Sequence, residues 1–265
     1  MDFEALWQAL QSEPIYIDGF DRPLSITAEE VREGYLPLAR RLWDRQRALD
    51  RRLLVGISGL PGSGKTVTAA TLARILDILG REHGDRAIHL SLDGFHFSNA
   101  WLEAHTGLDY DGNVVPLRRI KGAPCTFDAE AAARLLRRVR QGEGTVPFPI
   151  YSRKLHDPIP NAVEVTPSHR IVVFEGNYLF LDQPPWPQVR ELFDVRLFVE
   201  TPEEARLRNL RERHLRGGKS AEEVERHIQS VDQRNAAVIA PSARYAHLRL
   251  IRSADGMALE MVILE

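Results

Sequence analysis

Apolar positions sort the chain into elements by their period. Phe3, Leu6 and Leu10 recur at helical spacing. A turn-like stretch follows at 18–23. A second helix is expected after Thr27, with Ala28, Glu29 and Glu30 in its first turn and Val31, Tyr35, Leu36, Ala39 and Leu42 along one side. Pro37 lies inside that run, lacks an amide proton, and should kink or interrupt the helix. From Leu53 the texture changes. Short apolar runs at 53–58, 87–91, 170–174 and 195–199 have the continuity of buried parallel strands, and 247–251 and 258–264 read as two more. Between them, 66–79, 130–139, 202–215 and 221–239 carry helical patterns. Strands alternating with helices predict an α/β fold: a three-layer α/β/α unit with a mainly parallel sheet over 53–265, preceded by an N-terminal helical extension over 1–52.

Composition narrows the class without choosing a function. Of 265 residues, 43% are hydrophobic and 27% charged, and the net charge of -2 lacks the basic excess of a nucleic-acid-coating protein. No run of 18 apolar residues exists, so no membrane span is expected. The first residues carry Asp2 and Glu4 and do not read as a targeting peptide. The single cysteine, Cys125, cannot form an intramolecular disulfide, and with no signal peptide in view a cytoplasmic setting is expected. Cys125 itself reads as a small apolar filler, because no thiolate-activating motif surrounds it. The arginines of 45–52 read as a solvated helix end.

The sharpest signal is GLPGSGKT at 59–66, which satisfies G-x-x-x-x-G-K-[ST], the phosphate-binding P-loop. Such a string arises by chance in roughly one chain of this length per hundred. Here a strand pattern runs into it and a helix pattern leaves it, as the motif requires. Gly59, Gly62 and Gly64 permit backbone angles that let amides around Pro61 and Ser63 point inward at phosphate oxygens. Lys65 would reach the β- and γ-phosphates of ATP, and the Thr66 hydroxyl would bind Mg²⁺.

Two acids stand where strands end. Asp93 follows the second strand in HLSLDGFHFSN, where open α/β sheets place their ligands. It could accept the proton of an attacking hydroxyl, help to hold Mg²⁺, or simply cap a turn. Glu175 ends the strand of RIVVFEGNYLFLD, and its carboxylate is placed to contact Mg²⁺ or a neighbouring turn. The helix PEEARLRNLRERHLRGGKS offers Arg206, Arg208, Arg211, Arg213 and Arg216, of which one or two are expected to reach phosphate and the rest to be solvated; Gly217 and Gly218 would hinge it as a lid over about 206–220. Arg213 is taken as the catalytic arginine beside Lys65 and Asp93, and Arg208 as a nucleotide contact.

These strings together resemble the phosphoribulokinase/uridine kinase-like branch of P-loop kinases, which includes bacterial pantothenate kinase, over about 53–239. LDGFH resembles the segment that supplies the family's base, KGAPCTFD its turn before a helix, FPIYSRKLHDPIP its substrate-side segment, and RERHLRGGKS its lid. The Glu-Gly-Asn-Tyr and Arg-His-x-x-Gly-Gly patterns are most similar to a subgroup labelled nucleoside/nucleotide kinase-like or fructose-transport-associated kinase. The resemblance implies an ATP- and Mg²⁺-dependent kinase acting on a hydroxyl of a small metabolite, with a sugar, sugar acid or related polyhydroxy compound favoured and a nucleoside or pantothenate as alternatives. It implies substrate contacts at Asp93, His96, Lys121, Tyr151, Arg153, His156 and Glu175, metal contacts at Thr66, Asp93 and Glu175, and a contact near the nucleotide at Asn235. Each histidine also has a surface or structural reading. The extension could cover the site, form a homodimer contact or extend the fold. A GTPase reading lacks the Asn/Thr-Lys-x-Asp string, Asp109–Gly112 giving only a loose Asp-x-x-Gly; a transport ATPase lacks Leu-Ser-Gly-Gly.

Overall fold

The computed structural model describes residues 1–18, 22–253 and 259–263. Its strands are β1 (Leu53–Gly59), β2 (Arg86–Ser91), β3 (Thr106–Leu108), β4 (Val114–Pro116), β5 (Val146–Ser152), β6 (Asp157–Val165), β7 (His169–Glu175), β8 (Val195–Glu200), β9 (Leu248–Arg252) and β10 (Leu259–Ile263). Six form one sheet in the order β10-β9-β8-β1-β7-β2, parallel except for β10 against β9. All the expected strands are present; Ala258 and Leu264, at the ends of the last expectation, lie outside the described residues, as does part of the turn at 18–23.

Alternation along β1 assigns its side chains to two layers. Val55 and Ile57 pack with α1 (Phe3–Ser12), α2 (Leu36–Arg47) and α3 (Lys65–Gly80) on one face. Leu54, with Val172 and Phe174 of β7, packs on the other with Leu136 of α5 (Ala129–Arg140) and Trp186 of α6 (Trp186–Arg190), helices that follow the short α4 (Asn99–Ala104) in the chain. The extension is therefore part of the main core: Leu6, Val31, Tyr35 and Leu38 share a cluster with Leu72, Ile75 and Val173. Pro37 does not break its helix. The chain widens into a π turn at Glu30–Tyr35, closed by Leu36 N–H on Val31 O, and α2 continues with the proline in its first turn, where no amide donor is needed.

Three expectations are corrected. The arginines of 45–52 are not all solvated: Arg51 forks onto Asp194 at 2.6 and 2.8 Å, and buried Arg52 donates to the carbonyls of Val139, Glu143 and Gly144, at and just past the end of α5. Cys125 is exposed, because its 3-10 turn, Pro124–Thr126, directs Thr126 inward instead. The helical run 221–239 is α8 (Ala221–His227), a π segment at Ile228–Asp232 and α9 (Gln233–Ile239), following α7 (Glu203–Arg216). Two hairpins, β3–β4 and β5–β6, stand apart from the main sheet.

Candidate active site

Register builds the site. In the parallel pairing Ile57 and Ser91 both stand beside Glu175, at the carboxyl ends of β1, β2 and β7. Those ends lie together because the strands are parallel, each connection returning the chain to the starting end of the sheet. β1 then runs into the P-loop and α3. Gly62 and Gly64 take φ of 83° and 84°, the left-handed region that a side chain resists. At Gly62 a Cβ would also lie 2.6 Å from the Arg206 carbonyl oxygen.

Donors on α7 and just before it hold the loop from outside. Arg206 donates to Pro61 O at 3.1 Å, Asn209 to Gly62 O at 3.0 Å, and Thr201 to Ser63 O at 2.8 Å. With these carbonyls engaged away from the cleft, the first amides of α3 are left for an anion. Ser63 Oγ is buried in the loop without a hydrogen-bond partner in the structure, a polar atom for which a phosphate oxygen would provide one.

Behind the loop the charges are concentrated. The Lys65 ammonium is buried, and burial lowers its pKa while Glu175 opposes that shift. Glu175 is buried too; burial raises its pKa, Lys65 lowers it, and Asp93 raises it again. Glu175 Oε1 accepts from Ser91 Oγ at 2.7 Å and from Thr66 Oγ1 at 3.3 Å. Ser91 Oγ in turn accepts the Asp93 amide at 3.2 Å, which fixes Asp93 in the 3-10 turn directly after β2. Thr66, Asp93 and Glu175 line one cleft, and hard oxygens of this kind are the donors that suit Mg²⁺.

Two clefts meet there. One is lined by Gly62, Gly64, Lys65 and Thr66 with Asn209, Arg213 and Arg216 of the α7 region. The other is lined by Ser91, Asp93, Glu175 and Tyr151, and Thr66 and Arg153 line both. The structure therefore brings together Lys65, Thr66, Asp93, Glu175, Tyr151, Arg153 and Arg213.

Other expected contacts fall elsewhere. Arg206 is buried structure, not a phosphate contact, and Arg208 is exposed and outside the lining of the first cleft. Asn235 accepts the Tyr110 hydroxyl and lines a separate cleft with Asp109 and Arg234. Lys121 Nζ is bound to Asn99 Oδ1 and His156 O, both at 2.7 Å, and sits over the Tyr151 ring at 5.1 Å, supporting the ring from behind. His96 packs 3.9 Å from Phe127 with Nδ1 on Asp93 O. His156 takes φ of 53° at the β5–β6 turn. Asp109 accepts from the Asn113 amide within the β3–β4 turn. Sequence reasoning missed Ser91, Asn209 and Thr201. Only Ser91, two residues before an acid at a strand end, left a signal.

The comparisons agree with this geometry. The sequence profile of the Phosphoribulokinase / Uridine kinase family matches residues 54–256. The uncharacterized protein YggC of Escherichia coli is 32% identical over 231 residues, 86% of this chain and 90% of that protein. Uridine-cytidine kinase 2-B of Danio rerio is 27% identical, over 82% of this chain and 79% of that enzyme. A solved structure from Silicibacter, described as a candidate fructose transport system kinase, is 33% identical with a TM-score of 0.64, covering 77% of this chain and 94% of that one. This chain belongs to the phosphoribulokinase/uridine kinase family, P-loop phosphotransferases that act on hydroxyl groups of small molecules.

Proposed function

We propose that the chain transfers the γ-phosphoryl group of ATP to a hydroxyl of a sugar, sugar acid or related polyhydroxy metabolite, with Asp93 as the base. One observation carries the reading: the P-loop lysine, a hydroxyl–carboxylate pair and a strand-end aspartate converge where two clefts join. ATP phosphates fit the P-loop side, and Lys65 and Arg213 offset the charge of the group in transfer. Thr66, Glu175 and Asp93 would hold Mg²⁺, which when bound neutralises phosphate charge. Asp93 takes the proton of the attacking hydroxyl as the new P–O bond forms and the bond to ADP breaks. No covalent intermediate on the protein is needed. The same reading carries a cytoplasmic setting, and a homodimer is checked by sedimentation.

The test is Asp93→Asn. kcat should fall about 100- to 10,000-fold while ATP affinity changes only about twofold. Wild-type turnover in that variant would remove Asp93 from the role of base.

A further inference from the structure

The second cleft has a wall that the family core does not supply. Tyr16, Ile17 and Asp18, from the extension, line it opposite Asp93, Glu175 and Tyr151. This segment is anchored at its base. Ile15 is buried, its carbonyl accepts the Leu24 amide at 2.8 Å, and Glu13 just before it forks onto Arg81 at 2.6 and 2.7 Å and reaches Arg74 of the P-loop helix at 3.1 Å. At its far end Asp18 Oδ2 accepts the Arg153 amide at 3.1 Å, and Arg153 is a residue that lines both clefts. The extension is thus joined to the P-loop helix on one side and to the junction of the clefts on the other.

The charges around the cleft are unequal. Asp93 and Glu175 have the Lys65 ammonium beside them, and the wall adds a third carboxylate, Asp18, while Arg153 is the cation among the described lining residues and stands where the two clefts join. An acceptor that set its own phosphate or carboxylate against the wall would face Asp18, and like charges repel. A hydroxyl group instead donates to it. The lining side chain of His89 has a buried Nε2 without a hydrogen-bond partner in the structure, one more polar group that a neutral polyol could satisfy after a small shift of the wall.

We infer that Tyr16–Asp18 is the specificity wall of the acceptor cleft, and that the cleft it closes selects a compact neutral polyol, a sugar or sugar alcohol, over its acid or phosphate. The inference rests on the kinase reading above and narrows its substrate class. The experiment uses the full chain and two variants: Ile17→Trp, which fills the cleft, and Tyr16→Ala, which opens it at an exposed position. ADP release is followed with matched sets of neutral sugars and polyols, their acids and their phosphates, and basal ATP hydrolysis is followed without acceptor.

For the wild type, kcat/KM for a neutral acceptor should exceed that for its acid or phosphate at least about tenfold. Ile17→Trp should raise the KM for that acceptor at least about tenfold, with MgATP affinity within about twofold. Tyr16→Ala should raise basal hydrolysis about threefold or more by admitting water. Equal use of the acceptor by Ile17→Trp, or preference for an acid or phosphate, overturns the inference and leaves the kinase reading intact. No stimulation by any acceptor removes the kinase reading together with the inference that rests on it.

Discussion

Glu175 Oε1 accepts from two hydroxyls, bonds that the oxygen of an amide in its place can also accept. Glu175→Gln should keep the fold but raise the Mg²⁺ concentration for half-maximal activity about 10- to 100-fold, measured by metal titration of ADP release. His89 gives a pH prediction. Burial lowers its pKa from 6.5 to about 4, so it is neutral in the fold. Between pH 6.5 and 4 the unfolded chain binds a proton that the folded chain refuses, and stability must fall as pH drops through that window. Each unit is worth about 1.4 kcal/mol. His89→Leu should flatten the thermal-melting profile between pH 7 and 4; an unchanged slope would assign the loss to other groups. At this scale the sequence was informative where chemistry is local. The P-loop, Asp93 and Glu175 were legible because strand ends and glycine spacing mark them. His89 was not, because only the third dimension shows that its ring nitrogen is buried without a partner.

Among elements, α7 shows why a run of arginines resists reading. Arg206, Arg208, Arg213 and Arg216 have similar neighbours in sequence, yet Arg206 is buried on the P-loop and Gln233, Arg213 lines the cleft beside the P-loop, and Arg208 is exposed. Which face meets the loop depends on the docking of the helix, and helical period alone does not give that. Arg206→Ala leaves Pro61 O without its donor and opens a cavity under the loop, and should destabilise the fold by about 2–4 kcal/mol and weaken ATP binding together, read by denaturant melts and nucleotide titration. The β5–β6 hairpin was missed for a different reason. Pro147, Pro149, Pro158 and Pro160 erase the strand signature, but this two-stranded ribbon has free edges where a missing amide donor costs nothing. The wide turns at Glu30–Tyr35 and Ile228–Asp232 leave apolar spacing nearly helical, so the period passed over them.

For the whole molecule, the strands of the main sheet were legible and their order was not; β1 sits between β7 and β8 through pairings that connect distant stretches of chain. The extension looked separable because its texture changes at Leu53, but its apolar stripe completes the core over α3. Its buried Glu30 pairs with Arg252 at 3.1 Å, and the same guanidinium reaches Tyr35 Oη and Thr68 Oγ1 beside the P-loop. Glu30→Ala leaves that cation without its carboxylate and should cost about 3–5 kcal/mol, whereas Glu30→Leu with Arg252→Met should cost less than the single change. Equal losses in the two would mean that the stranded cation is not the source of the cost.

The most direct test of the phosphotransferase assignment and its acceptor is ADP release from MgATP across sugars, sugar acids, polyols, pantothenate and nucleosides, with product mass determined in each case. The expected result is one strongly stimulating acceptor, most of all a neutral sugar or polyol, recovered with one added phosphoryl group for each ADP formed. ATP binding without any acceptor-stimulated ADP release, and without a phosphorylated product, would contradict it.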